Sequence, residues 1–128
     1  MKKNLFCILV AALMLWGLPA HAGDNWPEKS IQVIVPWAPG GGSDLSARIV
    51  MDKVANILGQ PVVITNISGA AGLNGALRVN RAAPDGYTIL WEHPANLAIA
   101  PVIGKAKYTW KDFEMACSIG TSDIAIFV

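Results

Sequence analysis

Hydrophobic positions change their period several times along this chain, and each change marks an element. "SIQVIVP", Ser30 to Pro36, is rich in Ile and Val and ends at proline, the pattern of a buried strand. "SDLSARIVMDKVANILG" then switches to a helical period. Leu45, Ile49, Val54, Ile57 and Leu58 recur at that spacing, and Gly59 supplies a helix stop. "PVVITN", Pro61 to Asn66, predicts a second strand, and "SGAAGLNGALRVNRAA" a loop and a second helix. "PDG", Pro84 to Gly86, is a turn. "YTILWE", Tyr87 to Glu92, predicts a third strand, and "HPANLAIAPVI" a loop and a short helix. Alternation of strand and helix predicts an α/β fold with a mainly parallel sheet and right-handed crossovers. All three strands are nearly continuous apolar runs, as expected for strands covered on both faces.

Beyond the third strand the pattern loosens. "KAKYTWKDFE" is a polar connection with a helical turn expected at Trp110 to Phe113. "MACSIG" and "DIAIFV" predict two further strand-like pieces. Val128 closes an apolar run with no polar cap or turn, so the expectation is a fragment or a truncated reading frame.

The first 22 residues change the accounting of length and charge. Lys2 and Lys3 precede an apolar stretch from Leu5 to Leu18, broken by Gly17 and Pro19 and followed by "AHA", Ala20 to Ala22. These are the parts of a secretory signal peptide cleaved after Ala22. The apolar stretch is shorter than the roughly 20 residues that a membrane span needs. Its removal leaves one small domain of 106 residues, in which eight basic side chains face nine acidic ones. A net charge of −1 offers no field for nucleic acid or anionic lipid. Cys7 leaves with the leader, so Cys117 has no partner for an internal disulfide and is expected to pack in the core. One mature histidine, His93, is too few for a zinc cluster, and no cofactor is expected.

In an open parallel sheet, ligands sit beyond the carboxyl ends of the strands. Three loops converge there: "WAPGGGSD", "NISGAAG" and "EHPAN". The first two are glycine-rich, follow a strand and open a helix. A helix start exposes unpaired N–H groups and a partial positive charge, and glycines let an anion come close. Plain turn chemistry would also place glycines there. Two such loops on one sheet edge favour an anion clamp. Phosphate motifs do not fit: no lysine follows the glycines, and G-x-G-x-x-G is incomplete. There is no G-x-S-x-G elbow. Ser43 is expected as the helix N-cap and Asp44 as a favourable acid in the first turn. His93 beside Glu92 lacks an adjacent nucleophile, so it is expected in a pocket wall or at the surface. A nest without a fixed cation suits a small carboxylate.

The motifs "P-x-x-P-G-G-x-x-D", "G-Q-P-V-V-[IV]-x-N-x-x-G-A-x-G" and "A-x-P-D-G-Y-T-[IL]-L", in this order, resemble the tripartite tricarboxylate transporter substrate-binding family, receptors of the TctC or Bug type. The resemblance runs from Trp26 to about Val128. It implies a monomeric, non-enzymatic periplasmic receptor of the type II binding-protein kind, whose two lobes close over a small carboxylated solute for membrane transporter subunits. Here the chain would form the first part of lobe one, with lobe two missing. By the same resemblance the solute contacts come from Trp37, Ala38, Pro39, Gly40, Gly41, Gly42, Ser43 and Asp44 in the first loop. Ser68, Gly69, Ala70, Ala71 and Gly72 follow in the second loop, and His93, Pro94, Ala95 and Asn96 in the third. Glu92 and His93 stand where the family often has small residues, and Trp37 where a smaller one is common. The other readings are a secreted α/β enzyme fragment using His93 or Asp44, and a truncated receptor without function.

Overall fold

The computed structural model describes residues 25–102 and 106–120. The leader at 1–22 and the "DIAIFV" run lie outside the described residues.

Three strands form one parallel sheet: β1 (Ile31–Val35), β2 (Val62–Asn66) and β3 (Thr88–Leu90), in the spatial order β2-β1-β3. Helix α1 (Gly42–Leu58) joins β1 to β2, α2 (Leu73–Asn80) joins β2 to β3, and α3 (Pro94–Val102) follows β3. Registers run from Ile31 opposite Val62 to Val35 opposite Asn66, and from Gln32 opposite Thr88 to Ile34 opposite Leu90. The first crossover runs outward from β1 to β2, and the second runs the opposite way, from β2 past β1 to β3. Right-handed connections therefore set α1 and α2 on opposite faces.

The core sits on β1. Val33, Ile34 and Val35 are fully buried and Ile31 is 1% exposed. Burying each such side chain is worth ~1.5–3 kcal/mol. Branched side chains on both faces of a central strand are what an uninterrupted apolar run encodes. The flanking strands differ: β2 and β3 are only half-buried, and Val63 is 50% exposed. Double coverage therefore holds for β1 and not for its neighbours, which are the edges of the sheet among the described residues.

Helix α1 also departs from its apolar periodicity. Leu45, Ile49 and Ile57 are exposed, whereas Asp44 and Ala47 are buried and Val54 and Leu58 half-buried. The stripe facing the sheet is 44, 47, 51, 54 and 58. A polar anchor at Asp44 fixes the rotation of the helix, and Leu45, one residue on, is turned about 100° away. Gly59 ends the helix as expected, in the left-handed conformation, with its N–H donating to Ala55 O.

Helix α2 lies close against the end of β1. A Cβ on Gly75 would stand 2.7 Å from Pro36 Cβ and 3.1 Å from Ile67 O, so only glycine allows this approach. At the opposite edge, Tyr87 is packed by Trp26 at 5.9 Å and capped by Lys29 at 4.3 Å.

The expected turn after α3 forms over Trp110–Asp112, closed by a capping box between Thr109 and Asp112. Tyr108 is buried, with Phe113 edge-on at 5.3 Å. "MACSIG" is not a strand, and Cys117 is exposed rather than in the core. The cause is the same for both: no described strand pairs with this segment, so its apolar residues, Met115 and Ile119 among them, have no layer to enter.

Candidate functional site

The loops after β1, β2 and β3 emerge at the carboxyl edge of the sheet. The chain leaves β1 toward β2 and returns past it to β3, so the strand order reverses beside β1, and in such sheets ligands sit at that switch point, here between the loops after β1 and β3. Trp37 and Glu92 join these two loops directly, with Trp37 Nε1 donating to Glu92 Oε1 at 3.2 Å.

The first loop is organised by Asp44. Its Oδ2 accepts the Gly40 N–H at 2.8 Å and Arg48 Nε at 3.0 Å, and its Oδ1 accepts Asn66 Nδ2 at 3.0 Å. Arg48 Nη2 lies 3.0 Å from Oδ1, so the buried charge is neutralised one helical turn on. These partners hold the carboxyl down at about 2, the Arg48 hydrogen bond first, then Gly40 and Asn66, against an opposing effect of burial. Asn66, at the end of β2, also donates to Trp37 O at 3.1 Å. A continuous path of hydrogen bonds thus runs from Arg48 through Asp44, Asn66 and Trp37 to Glu92.

Ser43 is not the N-cap. Gly41 holds that position in an extended conformation and no side chain caps it. Asp44, at the third helical position, reaches back instead and takes the Gly40 N–H, a longer version of the return arm of a capping box. The anion clamp narrows in consequence. Gly40 N–H is occupied by Asp44, and Gly41 N–H by Ala38 O at 3.4 Å. Gly42 and Ser43 keep open first-turn amides among the described residues.

The three glycines are not equivalent. Only Gly40 has a positive φ, +80°, which an L side chain resists. Gly41 has φ −76° and ψ 170°, which any residue adopts. A Cβ there meets only Ala38 O, at 3.4 Å, and one on Gly42 meets nothing within 4 Å. The fold does not need glycine at either position. What bareness leaves there is open access to the amides.

The second loop is held differently. Gly69, Ala70, Ala71 and Gly72 all have positive φ, at 115°, 50°, 54° and 87°. For the two alanines this conformation costs ~1–2 kcal/mol each. Such strain persists where the surroundings over-determine it, and it clusters at ligand-binding places. Gly72 N–H closes the turn onto Gly69 O at 3.1 Å, and Ser68 O accepts Asn74 Nδ2 at 3.3 Å. Gly72 is buried beneath Glu92: a Cβ on it would lie 2.8 Å from Glu92 Oε2 and 3.7 Å from Trp37 Cζ2.

The third loop is built around Glu92. Its Oε1 accepts the His93 N–H at 2.7 Å, Asn96 Nδ2 at 2.8 Å and the Trp37 indole. His93 Nδ1 accepts the Ala95 N–H at 3.2 Å, which caps the start of α3. Tyr108 comes close enough for its hydroxyl pKa to be raised, by burial first and by the negative charge of Glu92 second.

Of the expected contact residues, Ala38 to Gly42, Ser68 to Ala71, His93 and Pro94 are exposed along this edge. Trp37, Gly72 and Asn96 are brought together by Glu92, whereas Asp44 lies beneath the loop with its carboxylate engaged inside the protein. Sequence reasoning did not assign Arg48, Asn66 or Glu92 to the site. Asn66 had a visible signal, as the last residue of a strand three positions before "GAAG". A shallow depression of about 490 Å³ lined by Ile67, Asn74, Leu77, Arg78 and Arg81 lies on the flank of α2, away from the Trp37–Glu92 pair.

Residues 46–128 match the family described as tripartite tricarboxylate transporter family receptor. The chain belongs to this family. A UPF0065 protein encoded in the TAR-I ttuE–ttuC′ intergenic region of Agrobacterium vitis is 36% identical over 119 residues, 93% of this chain and 33% of that protein. Among solved structures, MatC from Rhodopseudomonas palustris with bound malate is 40% identical, with a TM-score of 0.60 over 66% of this chain and 29% of that one. A TctC solute-binding protein from Polaromonas, without ligand, is 32% identical, with a TM-score of 0.64 over 69% of this chain and 30% of that one. The α/β parallel fold is thus the one shared with periplasmic binding proteins. The chain spans about a third of the length of the curated relative.

Proposed function

We propose that this chain forms one wall of a periplasmic receptor that binds a small carboxylated solute and delivers it to the membrane subunits of a tripartite tricarboxylate-type transporter. The solute's carboxylate meets the open amides of Gly42 and Ser43, with the strained second loop beside it. The sheet edge beside the hydrogen-bonded Trp37–Glu92 pair holds the rest of the molecule. The chain is exported by residues 1–22, and it works as a monomer without chemistry of its own.

The observation that carries this reading is the bareness of Gly41 and Gly42 where the fold would accept side chains. Family membership and the malate bound by MatC support the ligand class. Pockets typically enclose ~70–90% of a ligand's surface, which one exposed wall does not do. A second wall would come from the rest of a full-length receptor. An enzymatic role for Asp44 or His93 is not favoured. Asp44 is ionised and engaged with Gly40, Arg48 and Asn66, so it has no proton to give, and His93 Nδ1 is used as a helix cap.

The test is Gly41→Val in the full-length receptor that carries this segment. The φ at Gly41 is ordinary, so the melting temperature should stay within a degree or two. The valine side chain would stand over the first-turn amides, and calorimetry with a panel of mono-, di- and tricarboxylates and amino acids should show at least about tenfold weaker binding. Unchanged affinity for the acid that binds would remove the first loop from the site.

A further inference from the structure

Glu92 is a carboxylate placed inside a site read here as selecting carboxylates. Its two oxygens are used unequally. Oε1 accepts three hydrogen bonds, from Trp37, His93 and Asn96. Oε2 accepts none among the described residues, and it lies over Gly72 of the second glycine loop. No side-chain oxygen among the described residues is both fully buried and unpartnered, so Oε2 keeps some contact with solvent. The ion pairs among these residues are Lys29–Asp85 and Arg48–Asp44, and Glu92 enters neither.

This placement has a chemical consequence. The three donors on Oε1, one from the first loop and two from the third loop and the helix it opens, fix the carboxylate's orientation. What remains is a rigid acceptor with negative charge that enters no ion pair among the described residues. A solute with only carboxylates to offer would set like charges against each other there. A solute with a positive donor near its carboxylate would supply the missing partner, and a charge-assisted hydrogen bond is roughly twice as strong as a neutral one.

We infer that Glu92 Oε2 receives an ammonium or similar cationic donor, so that the receptor's solute is a zwitterionic carboxylate and not a simple di- or tricarboxylate. This rests on the carboxylate-receptor reading above. In this arrangement the first-turn amides of α1 hold the solute's anionic end and Glu92 its cationic group. Like-charge repulsion with Glu92 disfavours the analogue that lacks this cationic group and has only carboxylates to offer there.

The experiment is calorimetry on the full-length receptor carrying this segment, with acids paired for length: aspartate against succinate, glutamate against glutarate, α-aminoadipate against adipate. The amino member of the best-bound pair should bind at least about tenfold tighter. Glu92→Gln keeps an oxygen for the Trp37, His93 and Asn96 donors but removes the charge. It should bring the ratio of that pair near one, mainly by tightening the unsubstituted acid. A preference for the unsubstituted acid in the native receptor overturns the inference while leaving the carboxylate reading intact. So does an amino preference that Glu92→Gln does not change. Binding by no acid of any class overturns both readings. The native ratio needs no variant, so a poorly folded Glu92→Gln protein would not spare the inference.

Discussion

The two glycine-rich loops look alike in sequence and are held by opposite means. The first, Trp37 to Asp44, has one residue with positive φ and is tied by a buried carboxylate with three partners. The second, Ser68 to Gly72, has four consecutive residues with positive φ, two of them alanines, and only local hydrogen bonds. One loop is fixed by electrostatics, the other by backbone strain that packing under Glu92 and Trp37 maintains. Glycine count alone does not distinguish them. What distinguishes them is which residues need to be glycine.

The sharpest way to break the first loop is to remove its anchor. Asp44→Ala leaves Gly40 N–H, Asn66 and Arg48 without their shared acceptor. It should lower the melting temperature of the full-length receptor by roughly 5–10 °C and weaken solute binding, whereas loss of a first-turn acid alone would be a minor change. The same anchor predicts an acid limb. The folded carboxyl titrates at about 2, against an ordinary value of 3.8. A depressed folded value stabilises the protein above the unfolded one and loses that contribution as pH falls. Native stability should therefore decline from about pH 5 toward pH 2, with a shallower decline in Asp44→Ala. Denaturant melts at several pH values would measure both, and parallel curves would show that Asp44 does not anchor the loop.

A smaller and more diagnostic pair of changes should move stability in opposite directions. Gly40→Ala forces an alanine to φ +80° and should cost ~1–2 kcal/mol. Ala71→Gly relieves the same kind of strain at φ 54° and, after the higher chain entropy of glycine, should stabilise by ~0.5–1 kcal/mol. If both changes destabilise by similar amounts, the second loop is not strained and the contrast fails.

The alternation of elements, the parallel sheet, the glycine stop of α1 and the turn at Trp110 were legible from period and punctuation. These follow from local chemistry: branched residues in strands, glycine at left-handed positions, Thr and Asp at a turn. The rotation of α1 was not legible. Apolar periodicity pointed to Leu45, Ile49 and Ile57, but the buried Asp44 network sets the phase, and a charged residue in a core stripe carries no hydrophobic signal. Glu92 was missed as a site residue for a related reason. It is the last residue of the third predicted strand run, and its importance lies in Trp37 and Gly72, which are distant in sequence and joined only by the sheet order. Cys117 and "MACSIG" failed differently. Their apolar composition promised a strand, but a strand needs a neighbour, and composition does not say where one is.

The smallest expected effect separates two accounts of the same helix start. Serine before an amphipathic run reads as an N-cap, and replacing a genuine N-cap serine by alanine costs ~1 kcal/mol. In the structure the cap position belongs to Gly41, Ser43 lies inside the first turn, and its side chain makes no capping bond. Its carbonyl accepts Ser46 Oγ at 3.0 Å, which a substitution at Ser43 leaves in place. Ser43→Ala should therefore change stability by less than about 0.5 kcal/mol, the range of an ordinary surface substitution. The backbone N–H of Ser43 survives the change, so solute affinity should also stay within about twofold. A loss near 1 kcal/mol in a denaturant melt would restore Ser43 as the cap and leave Asp44 a lesser part in ordering the loop. A large loss of binding without a loss of stability would bring the Ser43 hydroxyl, and not only its amide, into contact with the solute.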